Sequence, residues 1–220
     1  MCGRFSNSET IPAQAARFEA KEALGCQEWQ PTYNAAPTQK HPVIIQDFSS
    51  RRLGLMQWGW KPDFMKGKLL VNARGEEAIG KKTFQEAMAK RRCIVPATLF
   101  YEWKERTDGP NLPHAFARQD RSLFCIAGLW QPIGEGVDRI GQFILLTVQA
   151  NAVVSPVHHR MAAILRPKDE QHWLNPASDA QGAHQLLRPF EPEAMTAWMV
   201  SLAVNSVKRT DAALIEPSRG

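Results

Sequence analysis

Cysteine is scarce in this chain and never paired. Its four cysteines stand at positions 2, 26, 93 and 125. With no C-x-x-C and no closely spaced set, neither a disulfide framework nor a zinc ribbon is encoded, and reduced thiols in a cytosol are the expectation. Histidine is also thin. There is no H-E-x-x-H, and the adjacent His158 and His159 would rarely reach one site together, so no metal and no other cofactor is expected. No apolar run approaches the ~18 residues of a membrane span. The first residues lack a basic-then-apolar leader, which points to a cytoplasmic protein without a membrane partner. Repeats, low-complexity tracts and long linkers are absent too, so residues 1–220 are expected to form one domain.

What is present suits a globular protein. A 44% hydrophobic content supplies a sizeable core and excludes wholesale disorder. The formal charge is +5, and basic clusters recur at Arg51-Arg52, Lys81-Lys82, Lys90-Arg91-Arg92 and Lys208-Arg209. Such an excess fits either a polyanionic partner or solvated basic faces.

Short runs rich in β-branched and aromatic residues predict strands: "PVIIQDF", "RCIVPA", "FYEWKE", "SLFCIAGLW", "FILLTVQA" and "MAAILR". The turn-rich stretches at 106–113 and 132–141 read as hairpin connections. Helices are expected in "SETIPAQAARFEAKEAL", with Pro12 in the first turn, from Glu76 to Lys90, and in "RPKDEQHWL". The predicted fold is α+β: a single compact domain with a curved, mainly antiparallel, barrel-like sheet and a few flanking helices.

Five segments carry polar chemistry. In "MCGRF", loss of Met1 would leave Cys2 with thiol and α-amine on neighbouring carbons, a 1,2-aminothiol able to attack one aldehyde carbon twice and close a thiazolidine. Arg4 beside it offers a phosphate contact. In "LLVNARGEE", Asn72 and Arg74 alternate on a strand and share a face. In "FYEWKE", Glu102 lies between Tyr101 and Trp103, whose bulk would desolvate a carboxyl and raise its pKa. A surface strand alternates in the same way, and the residues alone leave both readings open. His158 and Arg160 in "SPVHHRMAAIL" precede a strand, a natural place for a proton shuttle. Trp58, Trp60 and Phe64 in "QWGWKPDF" are either core or exposed rings for base stacking.

Together "MCGRF", "YNAAPTQ", "QWGW", "VNARGE", "RCIVPATLFYEWKE", "AGLW", "LLTVQAN", "HHRMAAIL" and "AVNSVK" resemble the SRAP family, the abasic-site processing proteins also called SOS-response-associated peptidases. The resemblance covers nearly the whole chain. It implies that Cys2, once terminal, forms a covalent thiazolidine with the ring-opened sugar aldehyde of an abasic site in single-stranded DNA. Asn72, Glu102 and His158 would be the other catalytic residues. Arg4, Arg74 and Trp103 match DNA-contacting positions and Phe64 an aromatic wedge, with Trp58 as a further stacking candidate. A monomer, associated with the nucleoid when on DNA, is implied, along with lyase and self-processing side activities. An N-terminal-nucleophile cysteine amidase or peptidase would use the same Cys2, and a pure single-strand binder would need no thiol. The chain departs from the family pattern at Ala162, where proline is usual, and at Thr98-Leu99, where Asp-Gly is common before F-Y-E-W.

Overall fold

The computed structural model describes residues 2–23, 25–47, 50–62, 67–134 and 140–218. Two sheets dominate. The smaller holds β1 (Arg4–Asn7), β3 (Thr32–Ala35), β8 (Leu99–Lys104), β9 (Leu112–Arg118) and β13 (Met195–Met199), in the order β13-β9-β8-β1-β3. The larger runs β12-β11-β10-β7-β4-β5-β2 and is built from β2 (Ala20–Glu22), β4 (Lys40–Gln46), β5 (Arg51–Trp58), β7 (Arg92–Ala97), β10 (Phe124–Ile133), β11 (Ile140–Gln149) and β12 (Arg160–Ala162). β6 (Asn72–Arg74) is added to β11 as a parallel neighbour. The larger sheet curls until β11 also meets β5, through Gln142 with Gln57 and Phe143 with Trp58, giving a barrel-like core that is not closed.

The predicted strands form, and both turn-rich stretches join antiparallel neighbours, β8 to β9 and β10 to β11. "MAAILR" pairs for only three residues in β12, with Ile164 adding an isolated bridge to Ile126. β7 is buried along its whole length because both faces are covered.

Among the described residues five α-helices flank the sheets. α1 (Ile11–Phe18) starts at Thr10, whose hydroxyl accepts from Ala13 N–H, with Pro12 in its first turn. The Glu76–Lys90 stretch divides into α2 (Gly75–Ala78) and α3 (Lys82–Lys90), with Gly80 in the break. α4 (Pro167–Leu174) begins at its proline as expected, and α5 (Ala180–His184) follows. Arg92, buried in β7, donates to Met88 O at the end of α3 and to Trp173 O at the end of α4. A cation there satisfies orphan carbonyls of both helices and sits at the negative ends of their dipoles.

The main hydrophobic core lies inside the curl of the larger sheet and extends to Phe5 and Phe100 of the smaller one and to Cys2, which precedes β1. A second cluster, with Leu99, Tyr101, Val200, Val204 and Leu214, covers the other face of β8. Among the described residues no helix is long and apolar enough to cross a membrane.

Candidate active site around Cys2

β1 is an interior strand of the smaller sheet, hydrogen-bonded to β3 on one side and β8 on the other. This anchors the start of the chain, a region that frays when unpaired. With Met1 attached, Cys2 is fully buried. Asn72, at the head of β6, donates from Nδ2 to the Cys2 carbonyl at 2.7 Å. The parallel register of Asn72 opposite Leu145 sets it there. Asn72 Oδ1 is buried and has no hydrogen-bond partner among the described residues, so one acceptor is left for a ligand.

The antiparallel register of β1 and β8 puts Arg4 opposite Tyr101. Side chains alternate, so Glu102 points to the other face, the one the main core occupies. It is 2% exposed, and burial pushes its carboxyl up to about 7. Burial also drives the Cys2 thiol far above its ordinary range, with the Glu102 charge adding to the effect. The desolvated strand residue is thus Glu102 in fact, and the solvent-facing reading of "FYEWKE" is set aside.

His158 Nδ1 stands 4.0 Å from Glu102 Oε1. Burial lowers the imidazole pKa, with charge repulsion adding to it. Nδ1 lies 2.9 Å from Arg160 N and 3.1 Å from Arg160 O. The amide N–H can only donate, so the neutral ring accepts it at Nδ1 and carries its proton on Nε2. At that spacing the neutral ring is a polar neighbour of Glu102 and not its ion-pair partner.

These motifs, far apart in sequence, therefore converge. The chain belongs to the SRAP family. The model of that family, described as SOS response associated peptidase, matches residues 1–207. Two proteins of Bacillus subtilis (strain 168), the abasic site processing proteins YoqW and YoaM, are each 34% identical over 98% of this chain and cover 99% and 98% of their own lengths. A crystal structure of a Bacteroides thetaiotaomicron protein shares the fold, with a TM-score of 0.87 at 24% identity over 99% of this chain and all of that one.

Two supports of this SRAP site went unnoticed in sequence. Arg160 is buried and grips the Glu76 carboxylate with both Nη1 and Nη2, the latter at 2.8 Å, and also donates to Thr147 O at 2.7 Å. It thereby ties the segment holding His158 to the helix that follows Asn72. Both residues lie within recognised motifs, but only their three-dimensional pairing reveals the link. The second support is Thr98, at one of the family departures. Its N–H donates to Ser6 O at 2.8 Å, and its hydroxyl lies 3.0 Å from Ser6 Oγ. These contacts fix the turn from β7 to β8 without a glycine. Ala162, at the other departure, is buried in β12 opposite Thr147.

The residues expected on DNA fare differently. Arg74 is half-exposed at the end of β6, paired with Glu77 at 2.9 Å. Arg4 shares the face of Tyr101 and donates from Nη1 to Asn34 Oδ1 and Val204 O, both at 2.7 Å. Trp103 donates from Nε1 to Asn205 Oδ1 at 2.8 Å. Arg4 and Trp103 thus hold the 204–205 segment against the sheet. The stacking expectation for Trp58 is overturned: its ring is fully buried beside Phe5 and Phe143, and Nε1 donates to Val71 O at 2.9 Å. Its glycine and lysine neighbours suggested exposure, but β5 turns the ring into the curl of the sheet. Trp60 is buried as well. Phe64 lies outside the described residues.

Among the described residues no three His, Cys, Asp or Glu side chains are grouped to hold a metal ion. Cys26, Cys93 and Cys125 are buried and unpaired. Burial raises all three thiols, which pack as small apolar groups.

Proposed function

We propose that this protein, after losing Met1, captures abasic sites in single-stranded DNA by forming a thiazolidine between Cys2 and the ring-opened sugar aldehyde. The names of its relatives support abasic sites as the target. The observation that carries the chemistry is the placement of Asn72 and Glu102 about the one residue that can present a 1,2-aminothiol.

The order of steps follows from the protonation states. The Cys2 thiol is held protonated by burial and by Glu102, whereas a terminal amine, with a reference pKa of about 7.7–8.0, has a useful neutral fraction near neutrality. The amine therefore attacks the aldehyde carbon first and gives a carbinolamine. Glu102, raised to about 7, supplies a proton to the departing hydroxyl, and water leaves. Loss of water leaves an iminium carbon, to which the sulfur adds while its proton passes to the Glu102 carboxylate and restores the acid. One C–N and one C–S bond form, one water is released, and no oxidant or reductant is needed. Asn72 orients the Cys2 main chain through its amide and offers Oδ1 to a sugar hydroxyl. His158, with its proton on Nε2, assists opening of the sugar at the ring oxygen.

The imine intermediate also acidifies the neighbouring sugar proton, so β-elimination is a side path that ring closure diverts. The adduct occupies a reactive aldehyde and so protects the strand from breakage.

The test is a denaturing gel of the protein, with loss of Met1 verified by mass, incubated with a single-stranded oligonucleotide carrying one abasic site. A heat-stable shifted band that needs both the lesion and Cys2 is expected, and it should vanish in Cys2→Ala or when one residue precedes Cys2. Absence of the band from the processed protein would refute the proposal and turn attention to amide substrates.

A further inference from the structure

Beyond the cysteine site, a groove of about 660 Å³ is lined by Arg166, Pro167, Lys168, Arg188, Phe190 and Glu191. Three cations face it. Arg166 lies 5.8 Å above the Phe190 ring and pairs with Glu191 at 2.5 Å, but its Nη1 is buried with no hydrogen-bond partner among the described residues. Arg188 is exposed and reaches Asp169 only at 3.4 Å. Lys168 is exposed and takes part in no ion pair among the described residues. Cationic donor capacity thus exceeds what the local carboxylates and carbonyls satisfy, and the shortfall suits a phosphodiester.

The groove is joined to the cysteine site twice. Leu187, next to Arg188, packs so closely on Gly75 that a Cβ there would lie 3.1 Å from Leu187 Cδ1, and Gly75 directly follows Arg74. His184 Nε2 is also 3.1 Å from Gly75 O. On the other side, Asn151 donates to Phe190 O at 2.8 Å, and its neighbour Ala150 bonds to His159 O at 3.1 Å, beside His158.

We infer that this groove is a second nucleic-acid contact, in which Lys168 and Arg188 bind backbone phosphates of the strand that Arg74 passes on from the lesion. The inference rests on the proposed action on DNA, and it sets how much flanking strand the protein engages. A short lesion-bearing strand fills only the cysteine site, and a longer one reaches the groove as well.

The test compares the wild type with the Lys168→Ala/Arg188→Ala double variant, both exposed positions. Equilibrium affinity is measured across a salt series for undamaged single strands of about 5 and about 20 nucleotides, lengths that bracket common site sizes. The variant should bind the long strand severalfold more weakly, with a log–log salt slope shallower by about 1.4, or ~0.7 per lost phosphate contact. Short-strand affinity and crosslinking of a short abasic strand should not change. Equal long-strand affinity and slope in both proteins would overturn the inference. So would inorganic phosphate occupying the groove without competing against the long strand. If neither protein crosslinks any abasic strand, the cysteine chemistry fails, while the affinity comparison still decides the groove.

Discussion

Asn72 Nδ2 donates to the carbonyl oxygen of Cys2 at 2.7 Å, across 70 residues of chain. The bond spans two sheets, since Cys2 precedes a strand of the smaller one and Asn72 opens a strand laid on the larger. It fixes the main chain of the very residue whose amine must meet an aldehyde carbon. Asn72→Ala should slow crosslinking by about 10- to 100-fold, the scale on which misplacement of a reacting group acts, and leave affinity for undamaged strands unchanged. Single-turnover gel kinetics beside an equilibrium binding assay would separate these effects. Equal loss in both would assign Asn72 to strand binding instead.

Glu102 makes stability depend on pH in a defined direction. Burial raises its folded-state pKa from 4.5 to about 7. The folded protein therefore holds this proton more tightly than the unfolded chain, and the stabilisation is fully present below about pH 4.5. It is lost as pH climbs through about 7. Glu102→Gln should leave stability little changed near pH 4.5 and raise it relative to wild type near pH 8, by an amount on the order of 2–3 kcal/mol. Urea melts at the two pH values would check the sign. The same variant should crosslink about 10²- to 10⁴-fold more slowly, the range for a lost general acid–base group.

The legible parts of this protein are those written in local pattern. "RCIVPA" names β7 because a short apolar β-branched run has few other fates, and Pro12 and Pro167 mark helix starts because a missing N–H costs nothing there. Cys2, Asn72, Glu102 and His158 stand out in the sequence through motif and chemistry. Their convergence was not, because it depends on β6 lying parallel to β11, a long-range pairing that no local period encodes. The pairing of Arg160 with Glu76 was hidden for the same reason. Trp58 misled because "QWGWKPDF" has the composition of a loop, whereas its first tryptophan still belongs to β5. Arg4 was read by its nearness to Cys2, but Cys2 precedes β1, and on that strand Arg4 stands opposite Tyr101 with its guanidinium on Asn34 Oδ1 and Val204 O.

The burial of Trp58 leads to a prediction that separates core from DNA contact. Trp58→Ala should destabilise the fold by about 3–5 kcal/mol, the cost of a large cavity. Trp58→Phe, which keeps an aromatic ring but loses the bond to Val71 O, should cost about 1–2 kcal/mol, from the lost bond and the smaller ring, since Leu145 N–H still donates to that carbonyl. Strand affinity of the folded Trp58→Phe protein should match wild type by fluorescence anisotropy. A large affinity loss with unchanged stability would restore the stacking role.

Arg4 leads to the opposite kind of test, because its guanidinium faces protein. Its bonds to Asn34 Oδ1, Val204 O and Asn205 O hold the 204–205 segment on the second cluster. Asn34 completes the clamp by donating to Val204 O, Ser206 O and Arg209 O. Arg4→Ala should destabilise the protein by about 1–3 kcal/mol, the range for a charged donor whose partners lose it. Amide exchange should quicken first at Ala203, Ser206 and Arg209. Arg4→Lys should rescue little, since an ammonium cannot reproduce a planar fork that spans two carbonyls and an amide. If Arg4 acts on phosphate alone, exchange in that segment would stay at the wild-type rate, and only the salt slope of strand binding would fall.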